Sequence, residues 1–439
     1  MRHNDNDFVW DTVIIGAGIA GLTASIYLAR AGQKVLLLEK GAHPGGRAVS
    51  TELADAQVNL GAHALNRSAL PILRDIGVIP DGMAPKPPGS LVFDGENSRG
   101  MNVSLLRLLF GSRLNSREKY QLLGFYWSLN RADASSLNRV SLQEYLDTRV
   151  PSLCAQRIVL ALVRLSMYCD APDLISAGAV IHQLKQSRVL YVNGGWQSII
   201  NQLTTRAQQA GASIRNGVSV QEVSGTMPRI EIKLKDESRL ISRNIISTAG
   251  PKSTLAFLNP ALTTTEEALY RQLVPVYAAC LDLVVTGMPN PKTTFVLGAD
   301  APWYYANHSA TASLSIHSER NVVHVMKYLP ATGHSDPKRD EYELTGFLDC
   351  IQSGWRKHVV RKRLMPRMLV THAVPTAATG GLQGRPSPQV KGRPGIYVAG
   401  DWVGSEGMLV HASLASAREA ARMILADTDI YTEGAQDGT

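Results

Sequence analysis

Apolar and polar positions divide this chain into stretches of different period. Residues 12–15 and 35–38 are short, largely apolar runs. Between them Ile19, Leu22, Ile26 and Ala29 recur at a helical interval that stops at Gly32. Short apolar runs suit strands buried on both faces, and the period between them suits a helix with one buried side. The opening therefore predicts strand–helix–strand. Residues 80–100, rich in Pro and Gly, read as a surface loop or hairpin. From 105 to 188 the period is helical. Tyr120, Leu123, Tyr126 and Trp127 share a face, as do Leu142, Tyr145 and Leu146, and Ile158, Leu160, Ala161 and Leu165 form another stripe. These predict a helical cap. A helix following Gly194-Gly195, two short strands over 211–223, an alternating strand over 229–235 and a buried strand ending at Gly250-Pro251 come next. Residues 276–285, 293–298, 302–309 and 321–329 predict a second sheet, and 341–355 an amphipathic helix. The chain closes on a strand, a turn at Gly400-Asp401 and an Ala-rich helix. The class is α/β.

The length of 439 residues allows two or three structural units with sizeable cores. A formal net charge of +8 predicts a basic surface. No reading helix or aromatic sheet motif accompanies the basic residues, so no nucleic acid is expected as a partner. The basic run over 356–363 reads as a solvated edge, with contact to an acidic lipid surface at the membrane periphery as the sharper reading. Cys154, Cys169, Cys280 and Cys350 are scattered, which argues against zinc and disulfides and fits a reducing, cytoplasmic setting. The polar start lacks the apolar core of a signal peptide, and no run approaches the roughly 18 apolar residues of a membrane span. No metal site is expected.

The first turn carries chemistry. Gly16, Gly18 and Gly21 have G-x-G-x-x-G spacing, with Ala17, Ile19 and Ala20 between them. Gly16 allows a tight turn. Gly18 lets the backbone approach a pyrophosphate lying on the unpaired NH groups of the helix start, and Gly21 lets helix and strand pack closely. Glu39, followed by Lys40, ends the second run, where its carboxylate suits a ribose 2′-hydroxyl and repels a 2′-phosphate. Gly45, Gly46 and Arg47 bring further NH donors and a guanidinium to the same phosphates. A dinucleotide site is predicted. The other glycine pairs, Gly194-Gly195 and Gly380-Gly381, lack this spacing, so a second nucleotide site for NAD(P)H is not expected.

G-A-G-I-A-G-L at 16–22, Glu39 and G-G-R at 45–47 resemble the flavin-binding entry of the superfamily holding monoamine oxidase, protoporphyrinogen oxidase and phytoene desaturase. The segment 395–425 is similar to its last flavin motif. The resemblance implies a Rossmann-like FAD-binding domain of the extended-FAD, glutathione-reductase-like kind, drawn from 1–75, 188–265 and 385–439. It implies a substrate domain of mixed β-sheet from 76–187 and 266–384, with the cap over about 101–187. It implies that Val220 meets adenine through its backbone and that Ala249 borders the cofactor. Gly400 and Asp401 would meet the ribityl or pyrophosphate region, and a helix from Gly407 would bring Met408 and Leu409 to the flavin. Covalent members use a cysteine near that last motif; none lies in 395–425, so FAD is expected to be held non-covalently.

Flavin carries the redox step, while the protein supplies binding and orientation. The resemblance implies hydride transfer to flavin N5 from a small, largely apolar organic substrate between the cap and the second sheet. His63 is a candidate pocket residue, since the segment after G-G-R runs near the flavin in that superfamily. Tyr304, Tyr305 and His308 are candidates to line the cavity. The electron acceptor would be oxygen, a quinone or a protein carrier. Phytoene desaturases tend to have His-Pro-Gly where this chain reads G-S-E-G-M-L. Amine oxidases often place an aromatic where Leu409 and Val410 stand. An amine oxidase is the alternative enzyme; a non-catalytic binder on the Rab GDP-dissociation-inhibitor-like scaffold is the alternative of another class.

Overall fold

The structure, a computed structural model, describes residues 9–436 except 62, 87–88, 93–100, 103–110, 112–113, 187, 259–262 and 333. Two seven-stranded sheets organise it. The first runs in the order Ser213–Asn216, Val35–Glu39, Val9–Ile15, Arg239–Ser247, Arg229–Leu234, Val220–Thr226, and Ile396–Val398 also pairs with Arg239–Ser247. Its middle is parallel, and Arg229–Leu234 is antiparallel to both neighbours. Alternation along the strands splits the core in two. Ile14 and Leu37 face the helices Ile19–Arg30, Trp196–Gln209 and Leu409–Gln436, while Val13, Leu36 and Leu38 face Val223, Ile230, Phe257 and Trp402. Burial on both sides is why the opening strands read as continuous apolar runs. Every strand of this sheet lies within 1–75, 188–265 and 385–439.

The second sheet runs Val359–Thr371, Val276–Thr286, Arg320–Tyr328, Trp303–Asn307, Phe295–Gly298, Gly89–Val92, Met101–Asn102. One face packs Leu281, Tyr305, Val323 and Val325 against Leu344 and Phe347 of the helix Pro337–Ile351. The other face turns Cys280, Tyr304, Met326 and Tyr328 towards the cap helices Ser116–Arg131, Leu142–Arg149, Leu153–Met167 and Ala177–Lys185. Capping boxes begin two of these helices, Asn115 with Glu118 and Ser141 with Glu144.

Several expectations change. Met101–Asn102 pairs with Gly89–Val92 in the sheet, so the described part of the cap starts at Ser116; 103–110, read as helical from 105, lies outside the described residues, as does the polar start over 1–8. The helix Ser116–Arg131 is apolar on two sides. It buries Leu122, Phe125 and Leu129, and leaves Tyr120, Leu123, Tyr126 and Trp127 exposed. The basic run lies at the sheet's edge with Arg356, Lys357, Arg361 and Lys362 exposed, as expected of a solvated edge. Arg356 pairs with Asp349 and Lys362 with Glu341, and Arg363, on the edge strand, turns inward to Asp282. No helix among the described residues is long and apolar enough to cross a membrane.

Candidate active site

The loop after Val9–Ile15 is shaped by its glycines. Gly16 has φ +104°, and a Cβ at Gly21 would stand 1.9 Å from the Gly16 carbonyl oxygen, so strand and helix touch there backbone to backbone. At Gly18 a Cβ would meet nothing closer than 4.0 Å, and no side chain caps the helix it begins. The first-turn NH groups therefore face a cleft of about 760 Å³.

Fourteen of the residues singled out from sequence line that cleft: Gly16, Gly18, Ile19, Ala20, Glu39, Lys40, Gly45, Gly46, Arg47, Val220, Ala249, Gly400, Asp401 and Leu409. Ala17 stands behind it, its NH donating to Glu39 Oε2 at 2.8 Å, while Gly41 NH donates to Oε1 at 2.7 Å. Two backbone donors thus fix Glu39 at the strand end, where it still borders the cleft. Gly21 serves packing. Gly407 has φ +64° and sits against His411, and Met408 lies in the core beneath the cap rather than on the cleft wall. The last helix starts at Leu409, and Leu409, Val410 and Ser413 bring its N-terminal end to the cleft.

Asp401, like Glu39, is a buried carboxylate of the cleft. Its Oδ2 accepts from Arg47 Nη1 at 2.8 Å and from His372 NH at 3.2 Å, and its Oδ1 has no partner among the described residues. Burial works against the carboxylate's charge. The charge and hydrogen bond of Arg47, aided by His372 and Thr371, outweigh it and hold the pKa at about 2. Arg47 also bonds the Val370 carbonyl at 2.8 Å, so Nη1 braces the cleft wall. Burial above all, with Arg47 beside it, lowers His372 to about 4 despite Asp401, and the ring is neutral. Sequence reasoning missed His372 and Arg385. Buried Arg385 donates to the Asp401 carbonyl at 3.1 Å and the Gly407 carbonyl at 2.6 Å, tying the turn to the last helix. Neither residue belongs to a local motif; an arginine within a Gly/Pro-rich loop was the available signal.

The second constellation lies beside this cleft. His63 is two residues past Gly61, a cleft residue. Asn59, 3.4 Å from His63 Nδ1, also accepts the NH of the cleft residue Trp196. The His63 ring centroid is 4.3 Å from that of His308 and 4.0 Å from that of His324, a residue the sequence did not single out. His324 Nδ1 is 2.5 Å from Asp282 Oδ1, and Arg363 donates to Asp282 Oδ2 through Nε at 3.0 Å. Strand register explains this: Asp282 stands opposite His324 on one side and Arg363 on the other. Burial, followed by the neighbouring His324 and His308 and then Arg363, holds His63 well below the usual histidine range. Burial and His324 do the same to His308. His63 Nε2 and both nitrogens of His308 have no partner among the described residues. Tyr304 joins this side, its hydroxyl 2.9 Å from that of Tyr191. Tyr305 does not. One step along the strand it points to the opposite face, into the core under Pro337–Ile351, and bonds Gln352 at 3.1 Å.

The family model of the NAD(P)-binding Rossmann-like domain matches residues 14–76. An uncharacterised protein of Mycobacterium tuberculosis is 45% identical over 80 residues, 18% of this chain and 15% of that protein. The chain thus matches only about 15% of the length of this curated relative. Solved structures extend the likeness over 94–96% of the chain. An oxidoreductase from Methanosarcina mazei superposes with a TM-score of 0.75 at 17% identity, covering 94% of this chain and 99% of that one. Cyclohexylamine oxidase from Brevibacterium oxydans gives 0.73 at 13% identity over 96% and 100%. At 13–17% identity the likeness to these solved structures is one of fold.

Proposed function

We propose that the protein is an FAD-dependent oxidoreductase that removes a hydride from a small, largely apolar organic substrate. The observation that carries this reading is buried Asp401, its Oδ1 unpartnered among the described residues, lining a cleft that also holds Glu39 and the uncapped helix start at Gly18. An ionised, buried acceptor with one oxygen unpartnered among the described residues suits a hydroxyl of the ribityl chain. Glu39 suits the ribose, and the NH groups behind Gly18 and Gly45 suit the pyrophosphate. The positive end of Leu409–Gln436 supports negative charge on a reduced flavin ring. FAD when bound supplies the two-electron chemistry. Non-covalent attachment is supported at His411, whose nitrogens lie 2.9 Å from Ser68 and 3.2 Å from Glu406. The acceptor is proposed to be oxygen, a quinone or a protein carrier.

The fold of cyclohexylamine oxidase keeps amine oxidation as the second reading. The deciding experiment is an anaerobic screen of alcohols, amines and unsaturated hydrocarbons for bleaching of the bound flavin, followed by admission of oxygen. Bleaching by one class and recovery in air supports an oxidase. A flavin bleached by no member of any class would favour a non-catalytic binder.

A further inference from the structure

Single exposed apolar side chains are ordinary on a protein surface; a row of large ones on one helix face is not. The cap helix Ser116–Arg131 carries such a row on the side away from its buried Leu122, Phe125 and Leu129. Tyr120 is 78% exposed, Trp127 61%, Tyr126 48% and Leu123 46%. Intervals of three or four residues run from Arg117 through Tyr120, Leu123 and Trp127 to Arg131, so an exposed arginine ends the ridge on either side. Half-buried Lys119 stands at its margin, near Tyr126. The Arg131 guanidinium lies 3.6 Å from the ring centre of Trp127. Glu118, the one acid of the helix, is turned away to the Asn115 NH and the Ser152 hydroxyl. Asp133, past the last turn, accepts from Ser135. Among the described residues the three cations have no carboxylate partner.

The chemistry of this face decides what it can meet. Tyr and Trp join an apolar ring to a polar edge, which suits the headgroup depth of a bilayer, and unpaired cations suit anionic lipid. A second copy of the chain is a poorer match, because an isologous contact would set this cationic ridge against itself with no carboxylate to meet it. The basic run over 356–363 is a poorer lipid surface. Arg356 and Lys362 are already paired, and Val360 is its one exposed large apolar residue among those described. We propose that the helix Ser116–Arg131 rests on the surface of an anionic bilayer. Tyr120, Leu123 and Trp127 enter the headgroup layer, and Arg117, Lys119 and Arg131 meet the lipid phosphates. The contact is peripheral. It uses no residue of the cleft, so it stands apart from the flavin reading.

The test is flotation of the full-length protein with vesicles of neutral phosphatidylcholine, and with vesicles in which phosphatidylglycerol replaces about a third of it. Binding should be at least about tenfold tighter on the anionic vesicles and should weaken as salt screens the charges. Lipid brominated in its acyl chains should quench tryptophan fluorescence; Trp127→Phe should still bind but lose most of that quenching. Arg117→Glu with Arg131→Glu, and Tyr120→Ser with Leu123→Ser, should each weaken binding about tenfold or more, at unchanged melting temperature and flavin content. Lys357→Glu with Arg361→Glu should bind as wild type does. No preference for anionic vesicles, full binding in both variants of the helix, quenching that survives Trp127→Phe, or loss of binding in the edge variant alone overturns the proposal. So does a dimer in solution that Tyr120→Ser with Leu123→Ser splits while vesicles are ignored, since the face would then belong to a second copy.

Discussion

Asp401 and Asp282 are both buried carboxylates beside an arginine, yet their surroundings leave them in opposite states. Asp401 bonds Arg47 through one oxygen, and its other oxygen is buried without a partner among the described residues. Asp282 has both oxygens taken, one by His324 and one by Arg363, and the unpartnered atoms around it belong to uncharged rings. A buried ionised oxygen without a donor is costly unless a ligand supplies one, which supports the proposed hydroxylated, charged cofactor in the first region. The second region, a nest of histidines, has its charge balanced within itself. Cofactor site and nest therefore differ in their balance of charge, although Asn59 touches both His63 and the cleft residue Trp196.

The largest blow to the cofactor side is Gly21→Val. A Cβ 1.9 Å from a backbone oxygen cannot be accommodated by a rotamer change. The cost should be about 3 kcal/mol or more, with loss of bound flavin. A melting temperature and flavin content near wild type would show that helix and strand do not meet as described. Asp401→Asn comes next. A folded-state pKa of about 2 lies below the ordinary carboxylate value of 3.8, so the charge stabilises the fold fully above that ordinary value and loses its effect as pH falls towards 2. The variant should lose about 2 kcal/mol at pH 7, measured by urea unfolding, and little at pH 2. An equal loss at both pH values would contradict the ionised, Arg47-paired state. Glu39→Ala should weaken FAD binding by about 2 kcal/mol through the ribose contact, with titration of the flavin-free protein as the measure. Unchanged affinity would mean that Glu39 serves only Ala17 and Gly41.

These two sides were not equally legible from sequence. The glycine turn, Glu39 and the last motif are local: a few neighbouring residues set φ, helix start and packing, so spacing alone exposed them. The nest is assembled from residues 63, 282, 308, 324 and 363; strand register aligns 282, 324 and 363, and loop residues His63 and His308 close on them from distant parts of the chain. Its trace in the sequence is a charged residue inside an apolar run, Asp282 within VYAACLDLVV, and likewise His324 within NVVHVMKY. Within the basic run, period-two alternation along the edge strand keeps Lys362 out and sends Arg363 alone inward, which the solvated-edge reading missed. Tyr305 misled for the same reason: its neighbour Tyr304 takes the nest side.

The smallest expected effect separates the regions by pH. Burial keeps His63 and His308 from protonating in the folded chain, whereas in the unfolded chain they take up a proton near pH 6.5. The fold should thus lose stability as pH drops below about 6.5, a window well above that of Asp401. His308→Phe should cost about 1 kcal/mol at neutral pH and make this loss shallower. An unaltered slope in unfolding experiments between pH 7 and 5 would mean that His308 is not held neutral.

The claim on which the proposed function depends is that the cleft behind Gly18 and Asp401 binds FAD without a covalent bond. The direct measurement is the absorbance spectrum of the purified protein, followed by acid precipitation and chromatography of the supernatant. One FAD per chain, released into the supernatant, is the predicted result. A colourless protein that does not take up added FAD, or yellow colour retained in the pellet on a peptide heavier by one FAD, would contradict it.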